Sequence, residues 1–225
     1  MLVISNRKAA YGLTRAANAV PPIPATVLAL QPYLRAHPGT TRDDYDAALA
    51  QIVLNAQPDL VVLAGWMHVL GDRFLRAMDS RPEDQQLVAS GDATEEMSAG
   101  VEDKIKLVSS PNTDAEVPLH TGAAAVAIIN LHPALPGAFD GANAIARAHA
   151  SFERGEIDKT GVMVHRVVRE VDRGEPLVVR EIPFVHGESL EALESRVHAA
   201  EWEVIVKATA IALDEAALAP TGNTN

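Results

Sequence analysis

The segment 128–141 carries the residues with the clearest chemical potential. An apolar run ends there in Asn130 and His132, and two prolines and two glycines follow. Alternate residues of an extended backbone point to the same side, so the Asn130 amide and the His132 imidazole can face one space. Such a pair can hold an oxyanion. The spacing alone leaves a second interpretation open, in which His132 caps the sheet edge and Asn130 bonds the loop backbone.

A charged turn that contains Asp172 follows another strand-like run, 162–167. In a parallel sheet Asp172 could approach His132, where its carboxylate would favour the imidazolium and fix the ring orientation. The alternative is a solvated aspartate in a glycine-containing turn. His165 lies inside the strand-like run, and we expect it to be structural.

The run 61–70 predicts one wall of a binding pocket. A strand pattern ends at Gly65, and Trp66 and Met67 follow it. Aromatic and thioether side chains suit a flat heteroaromatic ligand, although plain core packing explains them equally well. The sequence has no cysteine, no glycine-rich phosphate loop and no histidine spacing typical of metal ligands, so we expect no metal.

Alternating strand and helix patterns would position these residues. Five mostly apolar runs predict buried strands at 2–5, 60–63, 126–130, 162–167 and 177–182. Helical spacing appears at 41–56, with Thr41 and Asp44 as a capping pair, at 142–154, and from Ser189 onward. The pattern predicts an α/β fold, a mainly parallel Rossmann-like sheet with helices on both faces, whose ligands bind beyond the carboxyl ends of the strands.

Composition and charge narrow the class of protein. The chain has 225 residues and a net charge of -11, which argues against nucleic-acid binding. It has no apolar run of about 20 residues and no secretory leader, so we expect no membrane association and a cytoplasmic location. The segment 79–116 contains ten acidic and three basic residues and no aromatic residue, which predicts a disordered insertion. We therefore expect one domain over 1–218 and a disordered tail at 219–225.

Together these segments resemble the phosphoribosylglycinamide formyltransferase family, the folate-dependent formyltransferases of purine biosynthesis. The resemblance covers about residues 2–213 outside the insertion. Its most specific parts are the segments 5–13, 61–70, 130–141 and 165–176. It implies the formyltransferase fold and transfer of a formyl group from 10-formyltetrahydrofolate to the amine of glycinamide ribonucleotide. It also implies small-molecule substrates and a monomer or homodimer.

The resemblance assigns roles to particular residues. Asn130 and His132 would bind the oxyanion, and Asp172 would keep His132 charged and help to move the amine proton. The residues implied at the folate are Arg42, Trp66, Met67, Val69, Leu70, Ile128, Arg169, Glu170 and Val171, with Arg42 facing the glutamate. Those implied at the ribonucleotide are Met67, Pro133, His198 and Glu201, although His198 and Glu201 could equally be an exposed pair on one helix face.

The chain departs from the family in two places. The family begins with a strand and a Gly/Ser/Asn loop that binds the substrate phosphate, and we expect both to be missing here. His68 stands where bacterial members carry arginine. The alternatives are another enzyme that uses 10-formyltetrahydrofolate, such as methionyl-tRNA formyltransferase or the formyltetrahydrofolate deformylase, and a non-catalytic folate-binding remnant.

Overall fold

The computed structural model describes residues 1–79 and 125–218. Apart from Asp79, the predicted acidic insertion lies outside these residues, as does the predicted tail. The strands are β1 (Val3–Ser5), β2 (Ala25–Val27), β3 (Leu60–Leu63), β4 (Ala127–His132), β5 (Lys159–Arg166) and β6 (Pro176–Pro183). The helices are α1 (Tyr11–Ala17), α2 (Leu30–Ala36), α3 (Arg42–Asn55), α4 (Asp72–Asp79), α5 (Ala144–Glu153) and α6 (Leu190–Leu218).

The strands form two sheets. β1 and β2 pair in parallel, and the other four lie in the order β3-β4-β5-β6. β3 and β4 are parallel, whereas β5 is antiparallel to both of its neighbours. Three of these four strands therefore run in one direction. The mainly parallel strand direction that we predicted is confirmed, but the sheet is mixed, and the first two strands are separate from the rest.

Helices cover both faces of the four-stranded sheet. Ile128 and Ile129 of β4 point to opposite faces, as alternation along a strand requires. Ile129 packs in a core cluster that includes Val162 and residues of α6 from Leu193 to Ala212. Ile128 packs in a second cluster with Tyr45 of α3 and Phe74 of α4. The sheet is thus held between α6 on one side and α3 and α4 on the other.

The local signals explain several elements. Thr41 and Asp44 form the reciprocal capping box that begins α3, as predicted. The Ser189 hydroxyl accepts from the amide of Ala192 at 3.2 Å and so caps α6. At the carboxyl end of α4, the amide of Val126 donates to the carbonyl of Met78 at 2.9 Å. The residue that precedes β4 therefore lies beside the last turn of α4.

An apolar groove of about 480 Å³ lies between the two sheets. Its lining includes Ile4 beside β3 residues 60–63, with Val53 of α3 and Leu213 of α6. No strand of the described residues pairs with the facing edges of β1 and β3. That the chain lacks the family's first strand and phosphate loop stays a prediction.

Within the described residues, every helix is too short or too polar to cross a bilayer.

Candidate active site

One cleft contains most of the residues that the sequence singles out. Its volume is about 540 Å³, and it opens where β3 and β4 end. The predicted site residues that line it are Trp66, Met67, Val69, Leu70, Asn130, His132, Pro133, Arg169, Glu170, Val171, Asp172, His198 and Glu201. Residues far apart in the sequence therefore meet at the carboxyl ends of these strands, as expected for a ligand site in an α/β sheet.

Strand β4 positions Asn130 and His132. The two residues alternate along β4 and share one side of it, as the spacing predicted. Asn130 lies in register with Leu63 of β3 and His165 of β5, so neighbours on both sides hold its backbone. His132 is 4% exposed at the end of the strand. Its Nε2 atom has no hydrogen-bond partner among the described residues.

Asp172 lies beside His132, but the strand direction that we predicted does not bring it there. The prediction assumes a parallel pair of strands, but β5 runs antiparallel to β4 and ends beside Ile129 rather than His132. The loop 167–175 turns back and brings Asp172 Oδ2 to 3.4 Å from His132 Nδ1. Asp172 has a φ of 56°, a left-handed conformation that aspartate tolerates better than most residues. A strained turn, not strand direction, places the carboxylate.

A hydrogen-bond network holds Asp172 in this position. The backbone amide of Gly141 donates to its Oδ2 at 2.8 Å, and Asn130 Nδ2 donates to its Oδ1 at 3.2 Å. The side chain is only 8% exposed, so these contacts replace hydration. Gly141 was not among the predicted site residues, because the sequence gives no signal for a backbone donor.

His165 belongs to the same cluster. Its Nδ1 lies 2.8 Å from the carbonyl of Arg166, and its Nε2 lies 3.2 Å from Asn130 Nδ2. A carbonyl only accepts, so this contact assigns the proton to Nδ1 and leaves Nε2 to accept from Asn130. Sequence reasoning favoured a purely structural role. The sequence showed only its place in an apolar strand, whereas its pairing directly opposite Asn130 is a property of the folded sheet.

The pKa of His132 is lowered from its ordinary value. Burial is the largest cause, and His165 adds to it, while Asp172, a backbone hydrogen bond with Ala138 and Asp140 act in the opposite direction. We expected Asp172 to hold this ring charged. Burial outweighs the carboxylate, so the neutral ring is favoured in the free protein. With Nδ1 facing Asp172, its proton lies on Nδ1 and the lone pair on Nε2.

The lowered pKa of His132 predicts acid sensitivity. The unfolded chain binds this proton more tightly, with a pKa near 6.5, so protonation favours unfolding. Stability is fully present above that value and is lost as the pH falls through 6.5 towards the folded pKa. We expect the melting temperature to drop less between pH 7.5 and 5.5 in His132→Gln than in the wild type. Parallel decreases in the two proteins would contradict this, and the exposed His186→Ala should follow the wild type.

The loop 65–71 forms the apolar wall of the cleft. Met67 is 60% exposed and Val69 is 48% exposed, and both line the cavity. Trp66 also lines the cavity, but it packs partly against the core cluster around α3. Pocket lining and core packing, which the sequence left equally open, therefore both occur. Apolar side chains kept in solvent beside a cleft are typical of a ligand site.

Two of the predicted folate residues lie outside the cleft lining. Ile128 is buried in the core cluster beneath the cleft. Arg42 is exposed at the start of α3 and donates from Nη2 to the carbonyl of Val69 at 2.5 Å. Arg42 therefore contacts the back of the apolar wall, and a role at the folate glutamate stays a prediction.

Helix α6 contributes His198 and Glu201 to the opposite wall. Their charged atoms are 4.0 Å apart, and the Glu201 side chain is 16% exposed. Burial raises the pKa of Glu201, an effect that His198 partly opposes. A half-buried carboxyl group that faces a cleft can receive hydrogen bonds from a ligand.

Acidic and histidine side chains are the groups of this chain that could bind a metal ion. Across residues 1–79 and 125–218, no three of them come together as they would around a metal ion. The expectation that the chain uses no metal stays a prediction.

The chain is similar to known proteins of one enzyme family. A family model described as "Formyl transferase" matches residues 1–82 and 120–209. A Schizosaccharomyces pombe protein named phosphoribosylglycinamide formyltransferase is 40% identical over 207 residues, which are 92% of this chain and 78% of that protein. One of the same name from Dictyostelium discoideum is 36% identical, over 92% of this chain and 80% of that protein.

The fold has solved counterparts. The crystal structure of glycinamide ribonucleotide transformylase 1 from Symbiobacterium toebii superposes with a TM-score of 0.61 at 27% identity. The match covers 92% of this chain and 70% of that one.

Proposed function

Since this chain belongs to the formyl transferase family, we propose that the cleft at the end of β4 is where it transfers a formyl group. The acceptor is glycinamide ribonucleotide, and the reaction is a step of purine biosynthesis. The formyl donor is folate-derived, and we propose 10-formyltetrahydrofolate. The observation that supports this site best is the juxtaposition of Asn130, His132 and Asp172 in one cleft.

His132 is the residue that we place at the proton transfer of this reaction. Attack of the acceptor amine on the formyl carbon forms a C–N bond and a tetrahedral oxyanion, and the amine nitrogen becomes positive. The neutral His132 can accept a proton from this nitrogen at Nε2, the ring nitrogen that has no partner among the described residues. The resulting imidazolium then donates a hydrogen bond to the oxyanion. When the bond to the donor nitrogen breaks, that nitrogen takes the proton, so the charges balance.

Asp172 and Asn130 support this proton transfer. A carboxylate 3.4 Å from Nδ1 stabilises the imidazolium when it forms, although burial disfavours that charge in the free protein. Asn130 Nδ2 is the second oxyanion donor. Its two hydrogens face Asp172 and His165, so it must give up one of these bonds when it turns towards the formyl oxygen. We propose that the Asp172 contact is the one released, since Gly141 continues to hold that carboxylate.

The two walls of the cleft divide the substrates. The exposed apolar side chains of Met67 and Val69, with Leu70 and the loop 169–172, suit the flat pterin of the donor. The polar wall of His198 and Glu201, together with Pro133, faces them across the cleft and suits the ribonucleotide. The cluster of Asn130, His132 and Asp172 lies between the walls, where the formyl group must pass from one substrate to the other. A monomer or homodimer without a nucleic-acid partner, and a cytoplasmic location, stay predictions.

The dependence of turnover on the acceptor tests this function. We expect the purified chain to convert 10-formyltetrahydrofolate to tetrahydrofolate only when glycinamide ribonucleotide is present, because attack needs the acceptor amine. Absorbance of the folate and mass spectrometry of the ribonucleotide measure both products. Equal turnover without the ribonucleotide would identify a hydrolase, and formylation of methionyl-tRNA instead would identify another transferase. His186→Ala, at an exposed position outside the cleft, is the matched control and should retain the wild-type rate.

A further inference from the structure

A buried carboxylate outside the catalytic cluster fixes the apolar wall. Asp46, on α3, is fully shielded from solvent. Its Oδ1 accepts from His68 Nε2 at 2.6 Å, and its Oδ2 accepts from the backbone amide of Gly71 at 2.9 Å. One side chain therefore holds the loop 65–71 at its middle and at its end.

Glycine at position 71 allows this close approach. A Cβ atom built on Gly71 would lie 2.6 Å from Asp46 Oδ2, far inside van der Waals contact. The bond from the loop amide to the carboxylate therefore depends on having no side chain there. A carboxylate removed from water is costly unless it is paired and hydrogen-bonded, and here both oxygens have partners.

His68 transmits the position of Asp46 to the ligand-facing side of the loop. Because a carboxylate only accepts, the Asp46 contact places a proton on Nε2 of His68. The ring stands edge-on to Tyr45 at 5.1 Å and to Trp66 at 6.4 Å between centroids. Trp66 is the first side chain of the apolar wall, so the orientation of the imidazole limits that of the indole. The same helix reaches the loop again where Arg42 donates to the Val69 carbonyl.

We propose that Asp46 and His68 are positioning residues that hold the loop 65–71 in the shape that binds the folate-derived donor. This inference rests on the proposed function and names the residues that prepare its donor site. Met67 and Val69 remain exposed in the free protein, and a loop without internal ties would fold these apolar side chains against one another. The buried pair keeps them apart and spares the ligand the cost of ordering them.

The pair acts on donor affinity rather than on the chemical step. Asp46 lies on α3, behind the loop, and the His68 ring bonds to it there while also lining part of the cleft. The reacting groups lie on β4 and the loop 167–175. The polar wall of His198 and Glu201, which we assign to the ribonucleotide, belongs to α6. Loss of the pair should therefore change the KM for the donor and leave kcat and the KM for the ribonucleotide nearly unchanged.

Steady-state kinetics and calorimetry of His68→Ala test the proposal. We expect the KM for 10-formyltetrahydrofolate and the Kd for tetrahydrofolate to rise about 10- to 100-fold, which corresponds to losing a charge-assisted hydrogen bond. His68→Gln should recover most of this loss, because its amide can donate to Asp46. Asp46→Asn preserves the volume of the buried side chain and should raise the same two constants less than His68→Ala does. His186→Ala again serves as the matched control.

Two results would overturn the proposal. One is unchanged tetrahydrofolate affinity in His68→Ala. The other is an equal loss in kcat and in both KM values with no recovery in His68→Gln, which would mean a general structural role. A wild-type chain that binds tetrahydrofolate yet formylates no ribonucleotide would refute the proposed function and leave the calorimetric comparison decisive for the pair.

Discussion

Replacing His132 by alanine is expected to lower kcat for formyl transfer about 100- to 1000-fold, the usual cost of removing an oxyanion donor. The change removes the Nε2 atom, which has no hydrogen-bond partner in the part of the chain that the structure describes and which we place at the reacting amine and oxyanion. It should leave the fold intact, because the core clusters on both faces of the sheet do not include this ring. Single-turnover kinetics with both substrates saturating separates the chemical step from binding, and circular dichroism checks the fold.

Asp172→Asn should cause a comparable loss. Asparagine tolerates the left-handed backbone at this position and keeps the side-chain volume, so the change removes mainly the charge. Because Asp172 is proposed to act through His132, the double variant should be little slower than the slower single variant. Losses that multiply in the double variant would show that the two residues act independently and would refute the assignment.

Gly174→Ala is expected to remove activity as completely as loss of His132, although residue 174 contacts no substrate in our proposal. A Cβ there would lie 1.7 Å from the carbonyl oxygen of Arg166. The carbonyl carbon of Arg166 would lie 2.7 Å away, so the two nearest atoms are both backbone. The amide of Arg166 also donates to the carbonyl of Glu175 at 2.9 Å. Relief therefore requires the loop 167–175 to move off the end of β5, which carries Asp172 away from His132.

Stability and activity should both report this displacement. We expect the free energy of unfolding of Gly174→Ala to fall by about 3 kcal/mol, the upper end of the usual overpacking range, and kcat/KM to be lost in the fraction that remains folded. Gly12→Ala is the matched control: Gly12 lies in α1 with open space around it, and alanine there should be neutral or raise stability by up to about 1 kcal/mol. Urea denaturation measures both. A Gly174→Ala protein with wild-type activity would disprove the close approach.

Much of the fold could be predicted because its longer elements have strong local signals. The apolar runs of β3 and β5 and the spacing and capping box of α3 carry their own evidence. β2 was missed, because it has only three residues and follows closely on Pro24. Helix α2 was missed because Pro32 in its first turn resembles a break, although a proline there costs the helix no hydrogen bond. In such short segments tertiary packing, rather than propensity, decides the structure.

The candidate site likewise has some residues that the sequence could predict and some contacts that it could not. Side chains at strand ends, such as Asn130 and His132, could be recognised from residue type and alternation. Contacts made by turns could not, since the path of the loop 167–175 depends on the close approach at Gly174. Nor could the pKa of His132, because its direction depends on the balance between burial and Asp172, and burial is a property of the folded chain.

The separation of the two sheets has a consequence for where the folded chain opens locally. Backbone ladders join β3 to β6 in one continuous series, whereas the described residues show no ladder between β1 and β3. Among the described residues, only side chains and the connecting chain resist separation across the groove. We therefore expect β1, α1 and β2 to form a cooperative unit that opens more readily than the four-stranded sheet. His132, Asp172 and His165 all belong to the more resistant unit or its loops. Local opening at the amino-terminal end therefore leaves the catalytic cluster assembled.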